Sequence, residues 1–321
     1  MPTARSDSAG LSSQRQWLGR SSWRVSFVVL ASVWGCSFWW IDVALSSFSP
    51  LAVAFGRLAI GAVALLLIAG ATGTRLPRGF RIWGHLVVLG LLFNSVPFVL
   101  FAYAETHVSS ALAGILNSLT PIATLSISTY VFRIGPPSRR VLIGLAIGTT
   151  GVLIVAGAWN GFGHSQIVGI GACLLAVASF GVAFSYSPRF LAGRGEPVAL
   201  AAGQVICGAA ILLPLVLAFD RAGKAVTRDP VLALIALGVL GTGVAYVLNF
   251  DVARHASPTV ASSVTYLIPV FAVAAGAAFL GEAISWHDPV GAIVILLGAA
   301  VSQGFHPGCS RRKARKVSDS T

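Results

Sequence analysis

Charge is what this sequence has least of. Asp, Glu, Lys and Arg make up 10% of its 321 residues, against about 25% in soluble globular proteins, while 56% are hydrophobic. That balance excludes a water-soluble globular domain and implies a chain that crosses a membrane several times. Acidic residues are the scarcer sign, 10 against 22 Lys and Arg, for a formal net charge of +12. The excess does not mark a nucleic-acid partner, because the basic residues lie almost wholly in short connections between apolar runs, where they act as topology signals. The four cysteines, Cys36, Cys173, Cys207 and Cys309, are scattered without metal-ligand or redox spacing. A Walker loop, dinucleotide fingerprint, nucleophile elbow and zinc-ligand cluster are all missing, which argues against a self-powered ATPase pump and against a soluble-type enzyme. Neither a cofactor nor a metal is expected. The apolar runs also lack an acidic cluster, which disfavours multivalent cations as cargo. No small-residue cleavage site accompanies the first apolar run, which is too long for a signal peptide, so it is expected to be the first span.

What is there is apolar sequence at membrane length. Ten runs near the roughly 20-residue spanning length fall at 25–45, 50–70, 82–103, 109–132, 141–158, 168–187, 198–219, 230–250, 258–280 and 289–303. The expected fold is therefore all-α and integral to the membrane, with ten transmembrane helices. With the N-terminus inside, the inner connections and tails hold 18 of the 22 Lys and Arg, and the outer connections only Arg221, Lys224 and Arg228. This predicts cytoplasmic N- and C-termini. The layout is a cytoplasmic tail over 1–24, two five-helix units over 25–158 and 159–304, and a basic cytoplasmic tail over 305–321.

The two units follow from an internal repeat. Shifted by 148, His107, Ser109, Ala113, Leu119 and Pro121 meet His255, Ser257, Ala261, Leu267 and Pro269, five identities in fifteen positions. Shifted by 147, Pro50, Gly56 and Gly61 meet Pro197, Gly203 and Gly208. Five spans per unit is an odd number, so the two copies are expected to insert with opposite orientation about an axis in the membrane plane.

Several short motifs then carry a family resemblance. They are Trp34-Gly35 with Ser37-Phe38, Ser49-Pro50 followed by Arg57, the segment ending at Pro121, its counterpart ending at Pro269, and Gly281-Glu282. In that order and spacing the chain resembles the drug/metabolite transporter superfamily, EamA-type, over roughly residues 25 to 304. The resemblance implies a ten-helix secondary carrier of small organic solutes in a bacterial inner membrane, most in keeping with an exporter of amino acids or related metabolites. It also implies a central cavity framed by spans one to four and six to nine. Arg133-Ile134 departs from the family's frequent Gly-Glu, and Arg57 is answered in the second half by Gln204.

Candidate site residues sit where polarity interrupts the runs. Arg57, seven residues into its run, would cost about 2.5–3.5 kcal/mol facing lipid, so it is expected to face the protein, either receiving an anionic solute group or pairing with Asp42. Ala113, Asn117, Thr120, Thr124 and Ser128 recur at helical spacing along one face, matched by Ser262, Thr265, Tyr266 and Pro269. Such faces either line a solute path or pack helices together. Asn94, Ser95 and Pro97 interrupt span three, and Gly241, Thr242 and Gly243 interrupt span eight ahead of Tyr246 and Asn249. Pro97, Pro121, Gly241, Gly243 and Pro269 are the candidate hinges. Trp34 either packs or stacks on a solute. Glu105 and Glu282, near helix ends, are the candidates for proton coupling. The glycines of spans five (Gly144, Gly148, Gly151) and ten (Gly291, Gly298) either join those helices within one protomer or form a homodimer. The expected partners are a small-molecule solute and the lipid bilayer. An importer or an uncoupled facilitator is the rival within transport; an intramembrane enzyme or a scaffold is the rival outside it.

Overall fold

An apolar backbone in lipid must satisfy its own hydrogen bonds, and a helix does so within one segment. In a computed structural model the chain is described over residues 7–133, 139–155, 163–191, 193–220, 225–255, 263–281 and 284–303. Among the described residues it is helical without strands. The helices are α1 (Asp7–Leu45), α2 (Pro50–Ala71), α3 (Phe80–Leu89), α4 (Val96–Ala104), α5 (Ser110–Asn117), α6 (Thr120–Tyr130) and α7 (Arg139–Val155). They continue as α8 (His164–Leu191), α9 (Pro197–Phe219), α10 (Arg228–Gly238), α11 (Ala245–His255), α12 (Ile268–Ala275) and α13 (His287–Gln303).

Seven stretches are long and apolar enough to cross a membrane: Trp23–Leu45, Pro50–Ala71, Phe80–Ala104, Ser110–Tyr130, His164–Leu191, Pro197–Phe219 and Arg228–Asn249. Leu142–Val155, Val264–Leu280 and His287–Gly298 are apolar but shorter. The first two fall in the runs at 141–158 and 258–280, parts of which lie outside the described residues, and the third overlaps the run at 289–303 but begins two residues before it. The first helix also begins earlier than its apolar run, extending back through polar sequence to Asp7.

Helix starts follow local chemistry. Ser49 caps α2, its Oγ accepting from Ala52 N at 3.1 Å, and Pro50 opens the first turn, where its missing donor costs nothing. Ser109 caps α5 in the same way, accepting from Leu112 N at 3.2 Å. Pro197 likewise opens α9.

The interruptions take two forms. Spans four and nine tighten into an i→i−3 turn just before their proline: Leu119 N donates to Leu116 O at 3.1 Å, and Leu267 N to Val264 O at 3.0 Å. Pro121 and Pro269 then begin α6 and α12, where no N–H is required. The expected single polar face of span four is therefore bent: Asn117 and Thr120 flank the turn, and Ala113 is buried in the core. Spans three and eight instead widen into π-helical segments, Gly90–Ser95 and Val239–Val244, whose first residues are 149 positions apart. A third, Gly276–Leu280, ends the described part of span nine.

Packing brings α2 against α9, α2 against the π segment Val239–Val244, and α9 against the π segment Gly90–Ser95. Helix α1 packs on α10, α11 and α12, while α8 packs on α4 and α6. Helices α7 and α13 lie along each other, with their glycine faces meeting within the protomer: a Cβ on Gly298 would stand 2.6 Å from Gly148 N and 2.7 Å from Gly144 O.

Candidate functional site

One face of α1 supplies Trp34, Ser37, Phe38 and Ile41, at the i, i+3, i+4, i+7 positions of a single helical stripe. The stripe forms one wall of a cavity of about 620 Å³, counting the space at its mouth. Arg57 of α2, Phe93 of the first π segment, and Phe98 and Phe101 of α4 face it across the interior. Asn117 and Thr120 from the span-four break, Phe180 and Phe184 of α8, Tyr246 of α11, Thr265 and Ile268 complete the lining.

The π segments explain how polar groups are held at this depth. In a regular helix Ala245 would donate to Gly241 O; here its N–H goes to the carbonyls of Leu240 and Thr242. The released Gly241 O accepts from Arg57 Nη2 at 3.1 Å and from Trp34 Nε1 at 3.3 Å. The same thing happens in span three. Val96 N donates to Leu91 O rather than to Leu92 O, and Ser179 Oγ of α8 donates to Leu92 O at 2.7 Å. These two widened segments thus each present a carbonyl that a side chain from a distant helix satisfies, which an apolar interior requires.

Arg57 is 7% exposed. Its Nε donates to Thr242 Oγ1 at 3.1 Å, and its Cζ lies 4.0 Å from the centre of the Phe98 ring. Among the described residues no carboxylate pairs with it, and Asp42 is not one of its partners. Tyr246, also buried, donates to Asn94 Oδ1 at 2.5 Å, while Asn94 Nδ2 reaches Gln204 O at 3.4 Å. Asn94 therefore stands behind the wall and fixes Tyr246, which is on it. Phe93 is the hub of the rings: it meets Phe180 at 5.5 Å, Phe184 at 4.8 Å and Tyr246 at 6.1 Å between centroids, all near edge-to-face. Phe38 and Phe101 form a further edge-to-face pair at 5.5 Å.

A profile of the EamA-like transporter family matches residues 22–157 and again 167–303. The chain belongs to the EamA-like transporter family. Its relatives include the inner membrane transporter YedA of Escherichia coli K12, 29% identical over 79% of this chain and 81% of that one. PecM of Dickeya dadantii is 23% identical, covering 90% and 94% of the two chains. A probable terminal-alkyne amino-acid exporter of Streptantibioticus cattleyicolor is 25% identical, covering 83% and 87%. A protein solved by crystallography shares the fold, with a TM-score of 0.64 at 20% identity over 88% of this chain and 96% of that one. As a membrane transporter of this family, the protein has a small-molecule solute and surrounding lipid as its partners.

Of the residues singled out in this EamA-like transporter, Trp34, Arg57, Asn117, Thr120, Tyr246 and Thr265 come together on the cavity wall. Asn94 lies behind it, and Asn249 and Tyr266 are half-buried away from it. Gly241 and Gly243 are buried within their π segment. Pro97, Pro121 and Pro269 are buried in the first turns of α4, α6 and α12. Glu105 is buried just past the end of α4, off the wall, accepting from Ser110 Oγ at 3.0 Å. Glu282 and Ser262 lie outside the described residues. Thr124 and Ser128 turn elsewhere: Thr124 Oγ1 donates to Thr120 O, and Ser128 bonds Ser185 of α8. Unforeseen in the sequence are Phe38, Phe93, Phe98, Phe101 and Phe184 as wall residues. The α1 stripe was readable from its spacing, but the remaining phenylalanines sit in runs apolar on every side, where periodicity carries no signal.

Proposed function

We propose that this transporter is a secondary carrier that moves small organic solutes by alternating access through the central cavity, exporting amino acids or related metabolites. The observation that carries the reading is the cavity itself, walled by elements from both halves and flanked by matched breaks at two pairs of spans. Amino-acid export draws support from the relative that bears that name. The rocking element would be the π segments and proline turns, since they replace regular helix where the halves meet.

Ten spans in two oppositely inserted units, 25–158 and 159–304, with both termini cytoplasmic, form the proposed architecture. It is supported by the exchange of partners between halves: α2 packs on the π segment of span eight and α9 on that of span three. Likewise the released carbonyls of Leu92 and Gly241 are taken by Ser179 of α8 and Trp34 of α1, each the first helix of the other unit. Cysteines introduced at the exposed Arg78 and Arg228 are expected to react with an impermeant maleimide from opposite faces of the membrane. Reaction from one face would remove the antisymmetric arrangement. A homodimer built on α7 and α13 would use their outward sides, because their glycine faces meet each other.

The test of transport is uptake of a radiolabelled amino-acid panel into proteoliposomes. At least one solute is expected to show saturable flux, and Asn117→Ala is expected to reduce that flux several-fold. An unchanged flux in Asn117→Ala would detach the cavity from transport, and no flux of any solute would favour a scaffold. An imposed pH gradient separates proton coupling, for which Glu105 and Glu282 remain the proposed groups, from an uncoupled facilitator.

A further inference from the structure

We infer that the solute this cavity selects is an organic monoanion with an aromatic or apolar body, its carboxylate received by Arg57, in preference to the amine of the same shape. The inference rests on the cavity being the solute path.

Among the described residues the wall offers hydrogen-bond donors without a carboxylate beside them. Arg57 keeps its full charge in proteins, yet its partners are a hydroxyl, a peptide carbonyl and a ring face. Its Nη1 amino group has no hydrogen-bond partner among the described residues, although Arg57 is 7% exposed and faces the cavity. Glu105 acts on this cation through space, which leaves the Nη1 side open to a direct anionic partner, and a carboxylate matches the guanidinium fork in both charge and geometry. Asn117 adds a second donor. Thr120 Oγ1 gives its proton to Asn117 O at 2.7 Å and lies 3.2 Å from the side-chain amide, which lines the cavity and carries a group able to donate.

Other donors on the wall are already engaged. Trp34 Nε1 bonds Gly241 O, the Tyr246 hydroxyl bonds Asn94, and Ser37 Oγ bonds Val33 O at 2.9 Å. Among the described residues no carboxylate stands on the wall to receive an ammonium group. Glu105 acts on Arg57 only through space; it lies one turn beyond Phe101 and bonds Ser110. The rest of the wall is mostly phenylalanine, with Ile41, Ile268 and two threonines, which suits an apolar or aromatic body and holds an ammonium chiefly by ring faces. The purely structural alternative is that Arg57 merely ties α2 to span eight, and it makes no distinction between acid and amine.

Three solutes that share one body and differ in charge decide between these: 3-phenylpropionate, phenylalanine and 2-phenylethylamine. In proteoliposomes holding the full chain, 3-phenylpropionate is expected to be taken up at least ten-fold more effectively than 2-phenylethylamine, with phenylalanine between them. Arg57→Gln should bring that ratio close to one. Asn117→Asp, which leaves Arg57 and its bonds in place and puts a carboxylate on the wall, should shift the ratio toward the amine and keeps the inference testable if Arg57→Gln does not fold. Equal handling of acid and amine by the unaltered protein, or an unchanged ratio in Asn117→Asp, would overturn it. If none of the three moves while the amino-acid panel does, the carrier reading stands and the monoanion inference falls; if neither set moves, both fall.

Discussion

Gly298→Leu is expected to remove folded protein from the membrane. A Cβ at this position would stand 2.6 Å from Gly148 N and 2.7 Å from Gly144 O, so the obstacle is backbone, which cannot swing aside as a side chain can. The crossing is long: further along, a Cβ on Gly291 would lie 2.8 Å from Val155 N and 2.9 Å from Gly151 O. Forcing the helices apart sacrifices close contacts along their whole length, with no hydrophobic drive in lipid to offset the loss. Overpacking alone costs about 1–3 kcal/mol, and the backbone setting argues for the upper end, a large part of a typical stability of about 5–15 kcal/mol. Gly70→Leu is the matched control, because a Cβ there meets nothing within 4 Å. Fluorescence-detected size exclusion of tagged protein in detergent should show a monodisperse peak for Gly70→Leu and its loss for Gly298→Leu. Similar peaks for both would show that α7 and α13 do not cross at this glycine.

Phe93→Ala is expected to cost nearly as much, through the opposite fault. Its ring touches rings from both α8 and α11, so truncation leaves a void against Phe180, Phe184 and Tyr246. Phe→Ala in cores costs about 3–5 kcal/mol, and the half-buried position beside the cavity places this case near about 3 kcal/mol. Transport should suffer as well. The wall loses a ring, and about 1.5 kcal/mol of lost aromatic contact corresponds to about ten-fold in rate. Phe93→Leu fills much of the volume and should recover most of the thermal stability with little of the solute preference. Thermal unfolding in detergent and flux in proteoliposomes read the two effects separately. An unfolding temperature for Phe93→Ala equal to that of the unaltered protein would remove Phe93 from the centre of the cluster.

The membrane class of this fold was legible because lipid leaves the backbone little choice: long runs such as 50–70 and 198–219 have no other stable arrangement. The breaks were legible too, at Pro97, Pro121, Pro269 and the Gly241–Gly243 pair, since proline and glycine act locally. Their kind was not. Whether a span tightens, as before Pro121, or widens, as at Gly90–Ser95, depends on what can donate to the carbonyls it releases. For Leu92 that is Ser179, 87 positions away; for Gly241 it is Trp34, 207 positions away. Arg57 shows the same limit. Its charge in an apolar run announced an interior position, but the partner nearest in sequence, Asp42, gave way to Gly241 and Thr242 of span eight, which only packing brings near.

Two unrelated donors converge on the peptide oxygen of Gly241, a guanidinium and an indole. If a visiting anion draws the guanidinium toward itself, the indole remains in place, and the main chain is never left bare in an oily interior. Such redundancy would let a charged arm move at low energetic risk, with the tryptophan as the anchor against which it moves.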